Sequence, residues 1–241
     1  MAIQGVFFDL GGTLFDYPGK RSETFGKFVQ QVGVLAGDRD IDVQDIGRAF
    51  GTAHRQVGKD YAQLDYYLHA DMFRDTYKIA VGELGLDFDA QLYQEYGDFQ
   101  HDAIVTSMAL KKECLTTLSE LKARGLYCSI VSNIDELMLQ QLVDRAGLEV
   151  HLDHWTSSEA AGFCKPHPGF FEVSLQKAGL VAEEVLFVGD SPEHDINGAK
   201  PLGFHTALIR NGDDPPPLQS GAEVLEPHHT ITALDELLAI V

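Results

Sequence analysis

Short apolar segments separated by helical patterns constrain the fold of this 241-residue chain more than any other feature. Five of them have the length of a buried strand, and the helical patterns between them end at glycine, a typical helix C-terminal signal. The predicted strands are residues 3–9, 126–132, 150–155, 185–189 and 205–209. The predicted helices are residues 111–124, 136–146, 168–178, 196–202 and a terminal 234–240. Strands that alternate with such helices form crossover units, so we predict an α/β fold with a parallel sheet.

More than a hundred residues with almost no strand pattern separate the first two predicted strands. A crossover connection needs only about a dozen residues. Helical patterns in this segment cover residues 25–35, 43–59, 64–81 and 90–99. We therefore predict an inserted α-helical cap domain at residues 16–108, over the C-terminal edge of the sheet. Residues 1–15 and 109–241 form the predicted catalytic core, and the proline-rich segment 212–217 is a predicted surface loop.

The charge of the chain limits its partners. Hydrophobic residues make up 44% of the chain, which is typical of a packed globular core, and 18 basic against 37 acidic residues give a net charge of −19. Nucleic acids and anionic membranes need a positive surface, so we expect neither as a partner. An anionic substrate would need a local cation, most plausibly a bound metal.

The number of cysteines and the N-terminal segment indicate the cellular compartment that we expect for the protein. The three cysteines are too few and too irregularly spaced for a disulfide framework or a zinc site. The first residues run directly into the first predicted strand, so we expect no signal peptide, and no apolar run is long enough to span a membrane. We expect a cytoplasmic enzyme, either a monomer or a homodimer.

Polar residues follow three of the apolar strands where each strand ends, and a fourth polar group lies in a loop. Ligands of an open α/β sheet bind beyond the carboxyl ends of its strands, so these side chains are expected to converge. They are Asp9 with Thr13, Ser132 with Asn133, Lys165, and Asp190 with Asp195. Core packing alone does not explain four such groups at one edge.

Each of these residue types has a role if the substrate carries a phosphate. A carboxylate can attack phosphorus, and further carboxylates can hold Mg²⁺, which prefers oxygen ligands. The ion offsets the repulsion between the attacking carboxylate and the phosphoryl oxygens. Hydroxyls and backbone N–H groups can hold those oxygens, and a lysine adds a positive charge. Mg²⁺ and Lys165 would then provide the local cations that an acidic chain requires.

With these motifs in this order, the chain resembles the haloacid dehalogenase (HAD) superfamily, in its phosphatase-like branch with a helical type 1 cap. The matching motifs are Asp9-x-x-x-Thr13, Ser132-Asn133, Lys165-Pro166 and Gly189-Asp190-Ser191-x-x-x-Asp195. The resemblance covers the whole chain, including the position of the helical insert. It implies a Rossmann-like, doubly wound parallel sheet with the cap closing over the site.

The resemblance also implies roles for individual residues. Asp9 would be the nucleophile, and Mg²⁺ would be held by Asp9, the backbone carbonyl of Gly11, and Asp190, with Asp195 in support. The phosphoryl group would be bound by the remaining polar groups of the site. These are Thr13, Ser132, Asn133 and Gly12, with Lys165 bracing both Asp9 and the phosphoryl group.

The chain departs from the phosphatase pattern at Gly11. Most phosphatases of the superfamily have aspartate there, which protonates the leaving group and then activates water. General acid–base catalysis of this kind contributes about 10²–10⁴-fold to the rate. Glycine keeps a backbone carbonyl for the metal but supplies no proton, so we expect slow turnover of alkyl phosphates. Asp16, just past the site, is the alternative proton donor.

The leading prediction is a Mg²⁺-dependent hydrolase of a small phosphorylated metabolite that acts through an aspartyl-phosphate on Asp9. Cleavage of a carbon–halogen or carbon–phosphorus bond is the alternative, since haloacid dehalogenases and phosphonate-cleaving enzymes also lack the second aspartate. The phosphonate reaction needs a cap lysine, for which the candidates are Lys20, Lys27 and Lys59. The dehalogenases need no metal, so the intact Asp190 to Asp195 motif argues against that reaction. A weakly active phosphate-sensing or protein-binding module is the third possibility.

Cap residues could also contact the substrate. Arg48, His54, Arg55 and Lys59 have a spacing that fits either a substrate-lining surface or a solvated helix face. Aromatic residues of the insert are predicted to form the core of the cap instead. They are Tyr66, Tyr67 and Phe73.

Overall fold

Six parallel strands form the central sheet, in the order β5-β4-β1-β6-β7-β8. The computed structural model describes residues 2–17, 21–210, 212 and 216–241. The strands are β1 (Gly5–Phe8), β4 (Tyr127–Ser132), β5 (His154–Ser157), β6 (Val185–Gly189), β7 (His205–Ile209) and β8 (His229–Ile231). The predicted α/β class with a doubly wound, Rossmann-like parallel sheet is confirmed.

The register of the sheet brings the ends of its central strands together. Phe8, the last residue of β1, lies opposite Ile130 of β4 and Val188 of β6. Strand β4 ends at Ser132 and strand β6 at Gly189, so the residues that follow all three strands emerge at one edge. This edge carries the candidate site.

The sheet is flanked by helices in the same unit of the chain. They are α5 (Cys114–Ala123), α6 (Glu136–Ala146), α7 (Ser158–Ala161), α8 (Pro168–Ala178) and α9 (Asn197–Ala199). Helices α6 and α8 end at left-handed glycines, Gly147 and Gly179, as their sequence signals predicted. Large aromatic side chains fill one core of this unit, among them Phe7, Phe171 and Phe204. Full burial of each such side chain contributes about 1.5–3 kcal/mol.

Contacts divide the chain into two compact units. The first comprises Met1–Tyr17, Asp65–Tyr67 and Ala109–Val241, and the second comprises Pro18–Leu64 and Leu68–Met108. The second unit consists of α1 (Arg21–Ala36), α2 (Val43–Tyr61), α3 (His69–Glu83) and α4 (Ala90–Ser107). The short strands β2 (Phe15–Asp16) and β3 (Ala109–Leu110) pair antiparallel where the chain leaves and re-enters the first unit.

The helical unit has its own capped helices and its own core. Asp42 caps α2 by accepting a hydrogen bond from Gln44, and Asp89 caps α4 in the same way. Its buried core is aromatic and aliphatic. It comprises Phe28, Val32, Ile46, Ala53, Tyr77, Ala80, Val81 and Tyr96.

Several predicted elements differ from the structure. The strand predicted at residues 150–155 begins only at His154, because Val150 is 80% exposed in the 3₁₀ turn Glu149–His151. The helix predicted at 196–202 is instead a π turn (Pro192–Ile196), α9 and a 3₁₀ turn (Lys200–Leu202). Pro201 lacks the N–H that a continuous helix needs.

Other differences are smaller. The terminal helix is a 3₁₀ helix, Leu234–Ala239, and the three-residue strand β8 was not predicted. The helix predicted at 64–81 begins at His69. Residues 213–215 of the predicted proline-rich loop lie outside the described residues. No helix in the described part of the chain combines the length and the apolarity that crossing a membrane requires.

Candidate active site

Strand β1 delivers Asp9 into a tight turn at the edge of the sheet. The Asp9 N–H donates to the Val188 carbonyl at 2.9 Å, which continues the pairing with β6. After Asp9 the chain turns around the Leu10 carbonyl, which accepts hydrogen bonds from Thr13, Leu14 and Phe15. The Asp9 carboxylate is thereby held at the edge where ligands of such sheets bind.

Gly12 is required by the packing of this turn. It has a positive φ of 74°, and a Cβ on it would lie 2.0 Å from Oδ2 of Asp190. Its N–H donates to the Phe15 carbonyl at 2.7 Å. Gly12 therefore lets Asp190 approach the turn, and its predicted role in substrate binding stays a prediction.

Lys165 joins two carboxylates in the interior of the site. Its Nζ lies 2.7 Å from Oδ1 of Asp9 and 2.7 Å from Oδ1 of Asp195, and its side chain is 2% exposed. Burial opposes the charge of Lys165, but the two carboxylates outweigh burial and raise its pKa. Lys165 is therefore a fixed cation, as its predicted bracing of Asp9 requires.

Asn133 holds the backbone of Lys165. Its Oδ1 accepts from the Lys165 N–H at 2.7 Å, and its Nδ2 donates to the Lys165 carbonyl at 3.0 Å. These two hydrogen bonds place Lys165, and the predicted binding of the phosphoryl group by Asn133 stays a prediction.

Two hydroxyls lie at the site in different states. Ser132 donates to Oδ1 of Asp9 at 2.9 Å, so it orients the carboxylate. Thr13 is fully buried, and its Oγ1 has no hydrogen-bond partner in the described part of the chain. A buried hydroxyl without a partner is costly, which favours a ligand oxygen as its natural acceptor.

Asp9, Asp190 and Asp195 form one cluster whose ligand oxygens lie within 4.8 Å of one another. Burial, and then the charges of Asp9 and Asp195, raise the pKa of Asp190 to about 8. Burial also raises the pKa of Asp195 to about 6, although Lys165 opposes that shift. One lysine thus leaves the three carboxylates with uncompensated negative charge. An oxygen-only set of this kind fits Mg²⁺.

Asp195 is the most constrained of the three carboxylates. Its Oδ1 accepts from Lys165, and its Oδ2 accepts from the Ser191 N–H at 2.9 Å. A Cβ on Gly189 would lie 2.0 Å from its Oδ2, so glycine is needed there. These contacts suit a supporting carboxylate better than a freely exchanging ligand.

Tyr17 belongs to the site but was not among the predicted residues. A Cβ on Gly11 would meet only Tyr17 atoms, the nearest being Cε1 at 3.1 Å. The Tyr17 hydroxyl forms a hydrogen bond with Asp190. Desolvation, and then the nearby Asp190 and Asp9 charges, raise its pKa, although the residue as a whole is 43% exposed. A tyrosine after a short strand has no motif of its own, so no sequence signal could have revealed this contact.

Asp16, the predicted alternative proton donor, is engaged elsewhere. Its carboxylate lies 2.8 Å from Nζ of Lys111, and its side chain is 63% exposed. The ion pair links Asp16, the last residue of β2, to Lys111, the residue that follows β3.

Tyr67 was predicted to be part of the cap core, and the structure corrects that interpretation. Residues Asp65–Tyr67 group with the sheet-containing unit, where the Cys164 N–H donates to the Asp65 carbonyl at 2.7 Å. Tyr67 is buried and hydrogen-bonds the side chain of Asn133. Tyr67, Asn133 and Lys165 therefore form one connected chain of contacts.

The charged residues predicted to line the substrate lie on α2. Arg48 pairs with Asp45, and Arg55 donates to Thr52 at 3.2 Å. His54 and Lys59 share this helix, and Lys27 lies on α1. Lys20, the remaining candidate for a cap lysine, lies outside the described residues. Contacts of these residues with a substrate remain predictions.

The comparisons with known proteins agree on one family. The family model described as haloacid dehalogenase-like hydrolase matches residues 3–203. Glyceraldehyde 3-phosphate phosphatase of Methanocaldococcus jannaschii is 27% identical over 242 residues, covering 99% of this chain and 97% of the relative. (S)-2-haloacid dehalogenase of Pseudomonas sp. is 30% identical over 212 residues, covering 86% of this chain and 82% of the relative.

A solved structure matches along its whole length. The chain is similar to the hydrolase YfnB from Bacillus subtilis, crystallised with magnesium, at a TM-score of 0.72 and 19% identity. The match covers 100% of this chain and 99% of the other. At that identity the likeness establishes a shared fold.

Proposed function

The chain belongs to the haloacid dehalogenase-like hydrolase family, and on that premise we propose that it is a Mg²⁺-dependent phosphatase of a small phosphorylated metabolite. One observation carries the proposal. Three buried carboxylates face a single lysine, so a divalent cation would balance the charge of the site, and an oxyanion substrate could then approach Asp9. A cluster without a cation would be strained by its own repulsion.

Mg²⁺ would be held by Asp9, Asp190 and the backbone carbonyl of Gly11, with Asp195 in support. When bound, it would offset the repulsion between the Asp9 carboxylate and the phosphoryl oxygens. The oxygen-only donor set and the raised pKa values of Asp190 and Asp195 support this assignment.

Asp9 is the proposed nucleophile, and its hydrogen bonds distinguish its two oxygens. Ser132 and Lys165 both bond Oδ1, so we assign Oδ2 as the attacking atom. Oδ2 forms a bond to phosphorus as the bond from phosphorus to the leaving oxygen breaks, giving an aspartyl-phosphate. Water then attacks phosphorus, the bond to Oδ2 breaks, and inorganic phosphate and the free carboxylate result.

The phosphoryl group is proposed to be bound by Thr13 and Lys165. The unpartnered hydroxyl of Thr13 can donate to one phosphoryl oxygen, and Lys165 supplies positive charge beside Asp9. Ser132 and Asn133 contribute by orienting Asp9 and Lys165. The helical unit is proposed to act as the cap that selects the rest of the substrate.

The leaving group must depart without a carboxylic acid at position 11. Leaving groups of low pKa need little protonation, so the enzyme should favour aryl and acyl phosphates over alkyl phosphates. Asp16 is paired with Lys111 and is a poor substitute for the missing acid.

A substrate panel graded by leaving-group pKa tests the proposal. With Mg²⁺ present, we expect phosphate release whose rate falls steeply from aryl to alkyl esters. Asp9→Asn, which keeps the shape of the side chain, should abolish turnover. Equal rates across the panel would contradict the loss of the acid, and unchanged activity of Asp9→Asn would contradict the nucleophile.

Dehalogenation is the second candidate, favoured by Gly11 and by the 30% identical dehalogenase. In that reaction Asp9 would displace halide from the carbon of a 2-haloacid. Halide release from (S)-2-chloropropionate in EDTA would support this candidate, while phosphate release that requires Mg²⁺ would favour the phosphatase. A third reaction, cleavage of a carbonyl phosphonate through a cap lysine, would leave a lysine labelled after borohydride treatment.

A further inference from the structure

Residues 219–226, here called the strap, contact the segment 191–200, which directly follows Asp190 and contains Asp195. The strap contains no helix or strand, and its apolar side chains Val224 and Leu225 are each 43% exposed. Apolar burial therefore contributes little to its placement. Polar side chains from the segment 191–200 hold it instead.

Glu193 makes the densest of these contacts. It lies between Asp190 and Asp195 in the chain, and it is 8% exposed. Its Oε2 accepts from the N–H and the hydroxyl of Ser220, at 2.7 and 2.6 Å. Its Oε1 accepts from the N–H groups of Gly221 and Ala222, at 2.7 and 3.1 Å. Three successive backbone N–H groups thus converge on one carboxylate.

A second contact connects the strap to Asp195 through Ser191. The Gln219 side chain donates to Oγ of Ser191 at 3.0 Å. The same Oγ accepts from the His194 N–H at 3.1 Å, and the Ser191 N–H donates to Asp195. The strap, the turn and the carboxylate therefore share one hydrogen-bond network.

The far half of the strap is held by two further side chains. Asn197 donates to the Glu223 carbonyl at 2.8 Å and accepts from the Leu225 N–H at 2.8 Å. Lys200 donates to the Glu226 carbonyl. Side chains of the segment 191–200 thus anchor the strap from Gln219 to Glu226.

We propose that the strap positions the Asp190–Asp195 turn for divalent-cation binding, with Glu193 as the positioning residue. The inference rests on the proposed Mg²⁺ site. Groups that orient metal ligands typically change metal affinity about 10–100-fold when they are altered. Coupling between two sites is reciprocal, so Mg²⁺ should also order the strap.

Glu193→Gln is the sharpest test, because it keeps the shape of the side chain. One acceptor oxygen becomes an NH₂ group, which leaves at least one strap donor without a partner. Glu226→Gln is the matched control, since it makes the same charge change on the strap at an exposed side chain. Only the backbone carbonyl of Glu226 bonds Lys200.

Isothermal titration calorimetry with Mg²⁺, in the absence of substrate, gives the first readout. We expect the Kd for Mg²⁺ to rise about tenfold in Glu193→Gln and to stay unchanged in Glu226→Gln. Hydrogen exchange of the peptide covering 219–226 gives the second. Mg²⁺ should slow exchange there in the wild type and in Glu226→Gln, but not in Glu193→Gln.

The outcomes separate the two proposals. If the wild type binds Mg²⁺ and Glu193→Gln binds it equally well, the inference is overturned and the proposed function stands. If the wild type binds no Mg²⁺, the proposed function fails, and the inference fails with it. If thermal unfolding in EDTA finds Glu193→Gln unfolded, Asn197→Ala replaces it, because it removes two strap contacts away from the carboxylates. An unchanged Kd in that variant would overturn the inference.

Discussion

The ring of Tyr17 lies against Gly11, so that a Cβ at position 11 would be 3.1 Å from Cε1 of Tyr17. The backbone of Gly11 is not left-handed, and all three atoms nearest to such a Cβ belong to Tyr17. The tyrosine ring must therefore give by a few tenths of an ångström to admit a side chain at position 11. The two residues form a complementary pair.

Restoring the acid should therefore require changes at both positions. Gly11→Asp alone should change activity on alkyl phosphates little, because the tyrosine ring crowds the new carboxylate. Gly11→Asp with Tyr17→Ser should raise kcat/KM for alkyl phosphates by up to about 10²-fold. Steady-state kinetics with glycerol phosphate and p-nitrophenyl phosphate measure the difference.

Tyr17→Ser alone is the control for this pair, and it should not improve alkyl-ester hydrolysis. It also removes the hydrogen bond to Asp190, so any loss common to both tyrosine variants belongs to that contact. A full gain from Gly11→Asp alone would show that the ring does not oppose the side chain.

Asp190→Asn should stabilise the metal-free protein at alkaline pH. The pKa of Asp190 is about 8 in the folded protein, against about 3.9 in an unfolded chain. The folded state therefore holds an extra proton between these values, and its stability falls as pH rises from about 4 to about 8. Urea denaturation in EDTA at pH 9 should find the variant more stable by about 2 kcal/mol.

Mg²⁺ should reverse that order. At 100 times its Kd, a ligand of the folded state adds about 2.7 kcal/mol to the free energy of unfolding, and Asp190→Asn should lose most of this gain. Repeating the denaturation series with Mg²⁺ measures the reversal. A variant that is less stable than the wild type in EDTA at pH 9 would contradict the repulsion in the carboxylate cluster.

Lys165→Met should be strongly destabilising. It leaves Asp9 and Asp195 buried without their shared cation, which costs about 3–5 kcal/mol for a broken buried ion pair. Adding Asp9→Asn should recover part of the loss, since one of the two unpaired charges disappears. Chemical denaturation of the single and double variants gives the coupling free energy.

The exposed Lys112 is the control for Lys165. Lys112→Met should change the free energy of unfolding by less than about 0.5 kcal/mol, as is usual for surface substitutions. Strictly additive losses in Lys165→Met and Asp9→Asn would show that the lysine is not coupled to Asp9.

His154 should make the protein sensitive to mild acid. Burial, and then the nearby Lys177, lower the pKa of His154 to about 4. Its Nδ1 bonds the Tyr127 hydroxyl, while its buried Nε2 has no partner within the described residues. The unfolded chain binds the proton more tightly, so this residue costs stability as pH falls from about 6.5 to about 4.

His154→Gln should flatten this part of the pH profile. The loss of unfolding free energy between pH 7 and pH 4.5 should be smaller in the variant by about 2 kcal/mol. The difference between the two proteins isolates His154 from the carboxylates, which titrate in both. Parallel pH profiles would contradict the assignment.

Much of the fold follows from short-range pattern. The strands Val185–Gly189 and His205–Ile209 and the helix Pro168–Ala178 have the predicted bounds, because apolar runs and terminal glycines are local signals. The prediction fails at 150–155, where an apolar residue lies on the surface, and at β8, where three residues carry too weak a pattern. Burial is a tertiary property that single residues do not encode.

The members of the site could be named from the chain alone, since parallel strands bring their carboxyl ends to one edge. That rule places Asp9, Ser132 and Asp190 together, and the structure adds Lys165 between Asp9 and Asp195. Sheet topology is a strong constraint, because it brings the ends of strands that are far apart in sequence to one edge of the sheet.

The contacts among these groups depended on three-dimensional packing. Asn133 hydrogen-bonds the backbone of Lys165, and the ring of Tyr17 lies against Gly11. The Glu193 carboxylate accepts from the N–H groups of residues 220–222. No periodicity or spacing encodes such contacts, because each depends on the rotamer and burial of a side chain against a partner distant in the chain. Local pattern and strand topology thus determine which residues meet, and packing determines what each of them bonds.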